Sequence, residues 1–181
     1  KQEVTTELQK SGILPTIDHV NLFLTWGEVE GIVCSGIDKG KKTTYALLDE
    51  RVPPTRELCR EEALARLASR YFQSHSPAQL QDFVWWSGLT ATECRLAINL
   101  IKTELITETF DSREYFIHQS WKGKNESKPV LRLLPAFDEY LISYKNRTDV
   151  LPLEHHPKAF NRFGTFYPVI LYNGKIIGNW S

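Results

Sequence analysis

The sequence predicts an α+β fold, and three observations carry that expectation. Helical apolar spacing is twice followed by a short two-strand pattern with a polar tip, at 31–48 and again at 107–117. The composition then changes, and the last third is β-rich. It closes on strand patterns at 167–172 and 175–177 around Asn173-Gly174, a pair that favours the type I′ turn matching strand twist. Helix, tight turn, helix and hairpin is the order of a winged helix-turn-helix, in which the hairpin leans on a nucleic-acid backbone while a helix faces a groove. We therefore expect tandem winged helix-turn-helix units over 1–53 and 54–121, followed by a small, incomplete β-barrel over 129–181. The repeat is one of architecture, not of sequence identity.

In the first unit, a short helix is expected over 5–12, stopped by Gly12. A second is expected over 17–30, with Ile17, Val20, Phe23, Leu24 and Val29 on its inner side, Asp18 as an early-turn or cap residue and Gly31 as its end. The hairpin follows, with β-prone residues at 32–34 and 43–48 and a tip containing Gly36, Asp38 and Gly40. Pro53 and Pro54 make 49–55 a linker. A long amphipathic helix is then expected over 57–74. Ser76-Pro77 reads as the cap and first turn of a helix over 78–87, ended by Gly88, and Thr90 caps the next helix. Strands at 107–110 and 114–117 complete the second unit. A polar connector is expected over 122–128, a strand over 130–134, a helical turn or strand over 136–144, and a loop over 146–165.

Lys and Arg number 22 and so do Asp and Glu, so the net charge is zero and the whole-chain basic bias usual in nucleic-acid binders is missing. The charge is uneven: residues 122–181 are net positive by four and the preceding part net negative by four. Cys34, Cys59 and Cys94 are odd in number and lack CxxC spacing. That argues against zinc and a disulfide framework and fits a reducing cytoplasm. No membrane partner and no cofactor are expected, and no metal site either: His155-His156 lacks a third ligand at a recognisable spacing. Both ends read as cuts within a longer protein.

The expected partner is double-stranded DNA. Lys39, Lys41 and Lys42 crowd the first hairpin tip beside one acid, and lysine-to-phosphate contacts supply affinity and register without sequence information. His19 and Asn21 lie on the expected outer face of the helix at 17–30, and Asn can read adenine in a major groove. Asp18, Glu28 and Glu30 oppose such use. The third helix of the second unit mixes Glu93 and Glu104 with Arg95 and Lys102 and is expected to pack against neighbours. Trp85-Trp86 reads as core and interdomain packing rather than a base-stacking platform. Asp138 and Glu139 read as turn residues or partners of Arg132 or Arg147 rather than an acid–base pair.

Three ordered blocks add a resemblance. They are Glu30-Gly31-Ile32-Val33-Cys34-Ser35-Gly36 with Lys41 and Thr44-Tyr45-Ala46-Leu47-Leu48-Asp49-Glu50-Arg51-Val52-Pro53; Asp82-Phe83-Val84-Trp85-Trp86-Ser87-Gly88-Leu89; and Leu133-Leu134-Pro135-Ala136-Phe137-Asp138-Glu139-Tyr140-Leu141 with Tyr144-Lys145-Asn146-Arg147. Together they resemble the bacterial winged-helix DNA-binding proteins of the AlkZ-like type, in their C-terminal part. The resemblance implies tandem winged helices and a small β-barrel, in a family where some members are DNA glycosylases that unhook interstrand crosslinks and remove alkylated bases. It also implies that the catalytic glutamine, small or apolar residue, glutamine or aspartate pattern lies upstream of Lys1. Gln79-Leu80-Gln81 matches the bare pattern but reads as two polar positions flanking a core leucine at a helix start. This chain is thus expected to be the DNA-binding portion of such a protein, without catalytic residues, possessing glycosylase activity only as part of a whole parent. A winged-helix transcription regulator or protein–protein interaction module is the alternative.

Overall fold

The computed structural model describes residues 1–123 and 129–181 and resolves into two compact units, Lys1–Glu57 and Leu58–Ser181. The remainder of the connector expected over 122–128, from 124 on, lies outside the described residues. The fold is mixed helix and sheet, as expected.

In the first unit, α1 (Gln2–Lys10) starts three residues before the expected helix, and Gly12, at φ +79°, follows its end. Helix α2 (Ile17–Val29) is capped by Thr16, and Asp18 lies in its first turn, the second of the two places expected for it. The Thr16 hydroxyl accepts the His19 N–H at 3.3 Å, while His19 Nδ1 accepts the Thr16 N–H at 3.4 Å. At its other end, Gly31 takes φ +69°, which lets the Ile32 N–H reach the Gly27 carbonyl at 2.8 Å and the Gly31 N–H reach Glu28 at 3.2 Å. Only Val20 and Leu24 of α2 are buried; Ile17, Phe23 and Val29, expected to face inward, are exposed, and so are Leu22 and Trp26.

Strands β1 (Val33–Ser35) and β2 (Tyr45–Leu47) pair antiparallel, Val33 opposite Leu47 and Ser35 opposite Tyr45. Gly36 must be glycine: a Cβ there would stand 2.4 Å from Thr44 Oγ1 and 3.1 Å from the Tyr45 backbone. The chain after β2 does not go straight into a linker. Leu48–Arg51 forms one helical turn, α3, before Pro53 and Pro54 end regular structure.

In the second unit, α4 (Arg60–His75), α5 (Leu80–Ser87) and α6 (Ala91–Leu100) enclose a core of Leu64, Ala68, Tyr71, Phe72, Phe83 and Cys94. Full burial of each large side chain there contributes roughly 1.5–3 kcal/mol. Gly88 ends α5 at φ +69° and Thr90 caps α6, as expected. The expected start of α5 is displaced. Ser76–Pro77 is a cis peptide outside the helix, and the Ser76 hydroxyl accepts the His118 N–H at 2.8 Å instead of capping. The cap falls to Gln79, whose N–H donates to Asp82 Oδ2 at 2.9 Å.

Strands β3 (Leu105–Phe110) and β4 (Arg113–His118) form a six-pair hairpin around Asp111-Ser112, and Ala78 bridges to Phe116 through both backbone bonds. A second core of Leu141, Leu151, Ala159, Phe166, Val169 and Ile176 lies under β5 (Leu131–Leu134), β6 (Val169–Tyr172) and β7 (Lys175–Asn179). These three strands form an antiparallel sheet in the order β5-β6-β7, turned at Asn173-Gly174. Among the described residues the sheet is open, not a closed barrel. The stretch at 136–144, open between helical turn and strand in the sequence, holds a helical turn, α7 (Glu139–Ile142), capped by Asp138. The expected loop at 146–165 contains a 3-10 turn (Leu153–His155) and α8 (His156–Ala159). Among the described residues no helix is long and apolar enough to cross a membrane.

Candidate nucleic-acid interface

The first hairpin folds back on itself before its tip. Thr44 Oγ1 donates to the Ile37 carbonyl at 2.7 Å and the Gly36 N–H donates to the Thr44 carbonyl at 2.9 Å, closing the neck. Beyond it Lys39 and Lys42 exchange backbone bonds of 3.0 and 3.2 Å, with Gly40 at φ +64° between them. This tight turn leaves the side chains of Lys39, Lys41 and Lys42 exposed. Among the described residues none of the three has a carboxylate within ion-pair distance. A cavity of about 740 Å³ flanks the tip, lined by Lys39, Lys42 and Arg51 and also by Glu3 and Glu50.

Helix α2 is less suited to reading a groove. His19 is exposed but its ring is engaged in the capping box of α2. Asn21 does not stand on an exposed face: it is half-buried, and its Oδ1 is buried without a hydrogen-bond partner.

A second cluster forms within Leu58–Ser181, where two blocks far apart in sequence meet. Asp82 is buried, and its Oδ1 accepts the Lys145 N–H at 2.8 Å while its Oδ2 holds the start of α5. Tyr144 donates to the His75 carbonyl at 3.0 Å, and burial together with the Asp82 charge pushes its phenol up to about 12. Trp86 is half-buried against Tyr71, ring centroids 5.0 Å apart. Trp85 is different: 47% exposed, it donates its indole N–H to the Ile142 carbonyl at 2.8 Å and carries Lys145 Nζ 4.5 Å above its ring. Arg147 does not pair with Asp138 or Glu139. Its guanidinium donates to the carbonyls of Leu141 and Ile142 and lies over Trp85, Phe160 and Phe166, and burial pulls its pKa down.

Glu139 accepts from Ser143 and approaches His75 Nε2 at 3.8 Å, while His75 Nε2 and Ser143 Oγ are 3.1 Å apart. Serine, histidine and carboxylate thus stand together, but Ser143 is fully buried and no substrate carbon can reach its hydroxyl. The cluster ties α4 to α7. His156 engages the Leu151 carbonyl at 3.2 Å and packs on Phe160, and no metal-ligating group of three exists among the described residues.

A family model described as "DNA glycosylase AlkZ-like" matches residues 2–181. The chain belongs to the AlkZ-like family. It is 25% identical over 171 residues to the interstrand DNA cross-link repair glycosylase of Streptomyces sahachiroi, covering 86% of this chain and 46% of that protein. The solved structure of Streptomyces sahachiroi DNA glycosylase AlkZ has the same fold, with a TM-score of 0.73 at 21% identity over 99% of this chain and 57% of that one. The chain thus spans about half the length of the relatives it matches.

In this AlkZ-like chain, the blocks Asp82–Leu89 and Tyr144–Arg147, which carry part of the resemblance, are the two that meet at Trp85. The sequence assigns Arg95 and Lys145 no binding role and does not pair them. They border one cavity only because α6 packs beside α5 and the segment after α7 folds back over α5. Gln79 and Gln81 flank Leu80, which packs partly on the core, so this triplet serves as the start of a helix.

Proposed function

We propose that this AlkZ-like chain is the DNA-binding portion of a winged-helix protein, a DNA repair glycosylase when full length, which holds duplex DNA through backbone contacts. Its units are a winged helix over 1–53, a second over 54–121 and a β-rich domain over 129–181, working in the cytoplasm. The observation that carries the reading is the β1–β2 tip, where three exposed lysines without carboxylate partners among the described residues project from a turn closed by backbone bonds. Unpaired lysines on a hairpin are placed to displace counterions from phosphates, and such contacts hold without reading sequence. The half-buried Asn21 and the ring-engaged His19 agree with holding rather than reading. The family's name for its relatives supplies the repair context, and flipping a damaged base costs less than flipping a paired one.

Salt titration of duplex binding tests this directly. Replacing Lys39, Lys41 and Lys42 by alanine is expected to weaken binding and to lower the slope of log K against log salt. The decrease is about 0.9 for each phosphate no longer neutralised, roughly 2.7 for all three. Negligible wild-type affinity at low salt, or an unchanged slope in the triple variant, refutes the reading in favour of a regulator or protein-binding module. Base chemistry is assigned outside this chain, so release of an alkylated base by it alone contradicts that part.

A further inference from the structure

We propose that the cavity beside Trp85 is a second backbone site for duplex DNA, with Arg95 and Lys145 taking a phosphodiester and Trp85 holding Lys145 in place. The inference rests on the DNA-binding reading above, but on different residues. The cavity, about 350 Å³, has an apolar floor of Leu80, Val84 and Trp85 and a polar rim of Gln81, Arg95 and Lys145. None of its lining residues is acidic. The carboxylates on the two flanking helices are occupied elsewhere: Asp82 is buried and bonded to backbone N–H groups, and Glu93 is engaged by Arg60 and Thr90. Arg95 and Lys145 are both exposed, and among the described residues neither has an ion-pair partner. An apolar floor beneath two cations suits a deoxyribose with its phosphate, the repeating unit of a DNA strand.

The Trp85 contact gives the site its particular character. A lysine carries four rotatable stem bonds and is ordinarily a diffuse charge. Here Lys145 Nζ sits 4.5 Å from the Trp85 ring centroid, and the indole is itself anchored by its bond to the Ile142 carbonyl. Trp85 therefore acts as a positioning residue for a charge it does not carry.

The test compares salt slopes for duplex binding in four chains. Arg95→Ala with Lys145→Ala is expected to lower the slope by about 1.8, because two cations no longer displace counterions. Trp85→Ala is expected to lower it by about 0.9 with no change in charge, and Trp85→Phe, which keeps a ring under Lys145, to restore the wild-type value. Thermal melts check that each chain stays folded; the exposed Arg95 and Lys145 carry the test if Trp85→Ala does not. Wild-type binding with an unchanged slope in the Arg95/Lys145 variant overturns the site and leaves the lysine-tip reading standing. A folded Trp85→Ala chain with the wild-type slope overturns the positioning role. Absence of wild-type binding at low salt overturns both readings together.

Discussion

Glu93 shows how one residue joins a local rule to a distant partner. Its carboxylate accepts from the Thr90 N–H at 3.0 Å and the Thr90 hydroxyl at 2.8 Å, closing the capping box that starts α6, and it also pairs with Arg60 of α4. The Arg60 bond is the first cause and the Thr90 bonds the second of a pKa lowered from 4.5 to about 2. A carboxyl depressed by folding adds stability above its unfolded pKa and loses it as pH falls through the folded one. The contribution is therefore full above about pH 4.5 and lost towards pH 2. Denaturation midpoints measured from about pH 5 to about pH 2 are expected to fall more steeply in the wild type than in Glu93→Gln, and parallel profiles would contradict this. The capping half is legible in Thr90-x-x-Glu93; the Arg60 half, 33 residues away, is not. Asn21 fails as a reader for the same kind of reason, since only packing decides which side of α2 is covered.

At the scale of elements, the β3–β4 hairpin turns on Asp111 at φ +49° and Ser112 at φ +59°. Both occupy the left-handed region, which costs a residue with a Cβ about 1–2 kcal/mol. Ser112→Gly is expected to stabilise the chain by about 1 kcal/mol in urea denaturation, after allowing for the greater freedom glycine gives the unfolded chain. A lower midpoint would mean that Ser112 is not strained there. Asn173-Gly174 already has the favoured pair, and that hairpin is where the sequence predicts it. Elements announced by short-range chemistry follow this pattern: Gly31 and Gly88 stop α2 and α5, and Thr90 starts α6. Ser76-Pro77 misleads because Ser76 is drawn to β4 and Gln79, its N–H held by Asp82, takes the cap in its place.

For the whole molecule, the two units differ in how much they bury. Among the described residues of Lys1–Glu57 only Val20 and Leu24 are buried, while Leu58–Ser181 holds two clusters built on Phe72, Phe83, Leu141 and Val169. Opening free energy follows buried apolar contact, so α1 and α2 amides are expected to exchange with deuterium well before those of α4 and α6. Mass-spectrometric hydrogen exchange reads this peptide by peptide, and equal protection in the two units would refute it. Within Leu58–Ser181, Arg113 holds Asp149 through two bonds of 3.0 Å, joining the β3–β4 hairpin to the segment before Leu151. Both side chains are partly exposed, so water screens this pair and it sets geometry more than stability.

The α+β class, the order of the longer helices and the hairpins, the lysine-rich tip and the family are legible in the residue order, because turns, caps and apolar periods act over a few residues. Contacts between distant segments set the rest: among the described residues the three C-terminal strands form an open sheet, Trp85 is exposed while Trp86 is half-buried, and Arg95 and Lys145 share one cavity. The physical reason is range. Lys145 reaches Trp85, far back in the chain, because bonds that no local rule announces hold its segment against α4 and α5: its N–H to the buried Asp82, and the Tyr144 hydroxyl to the His75 carbonyl.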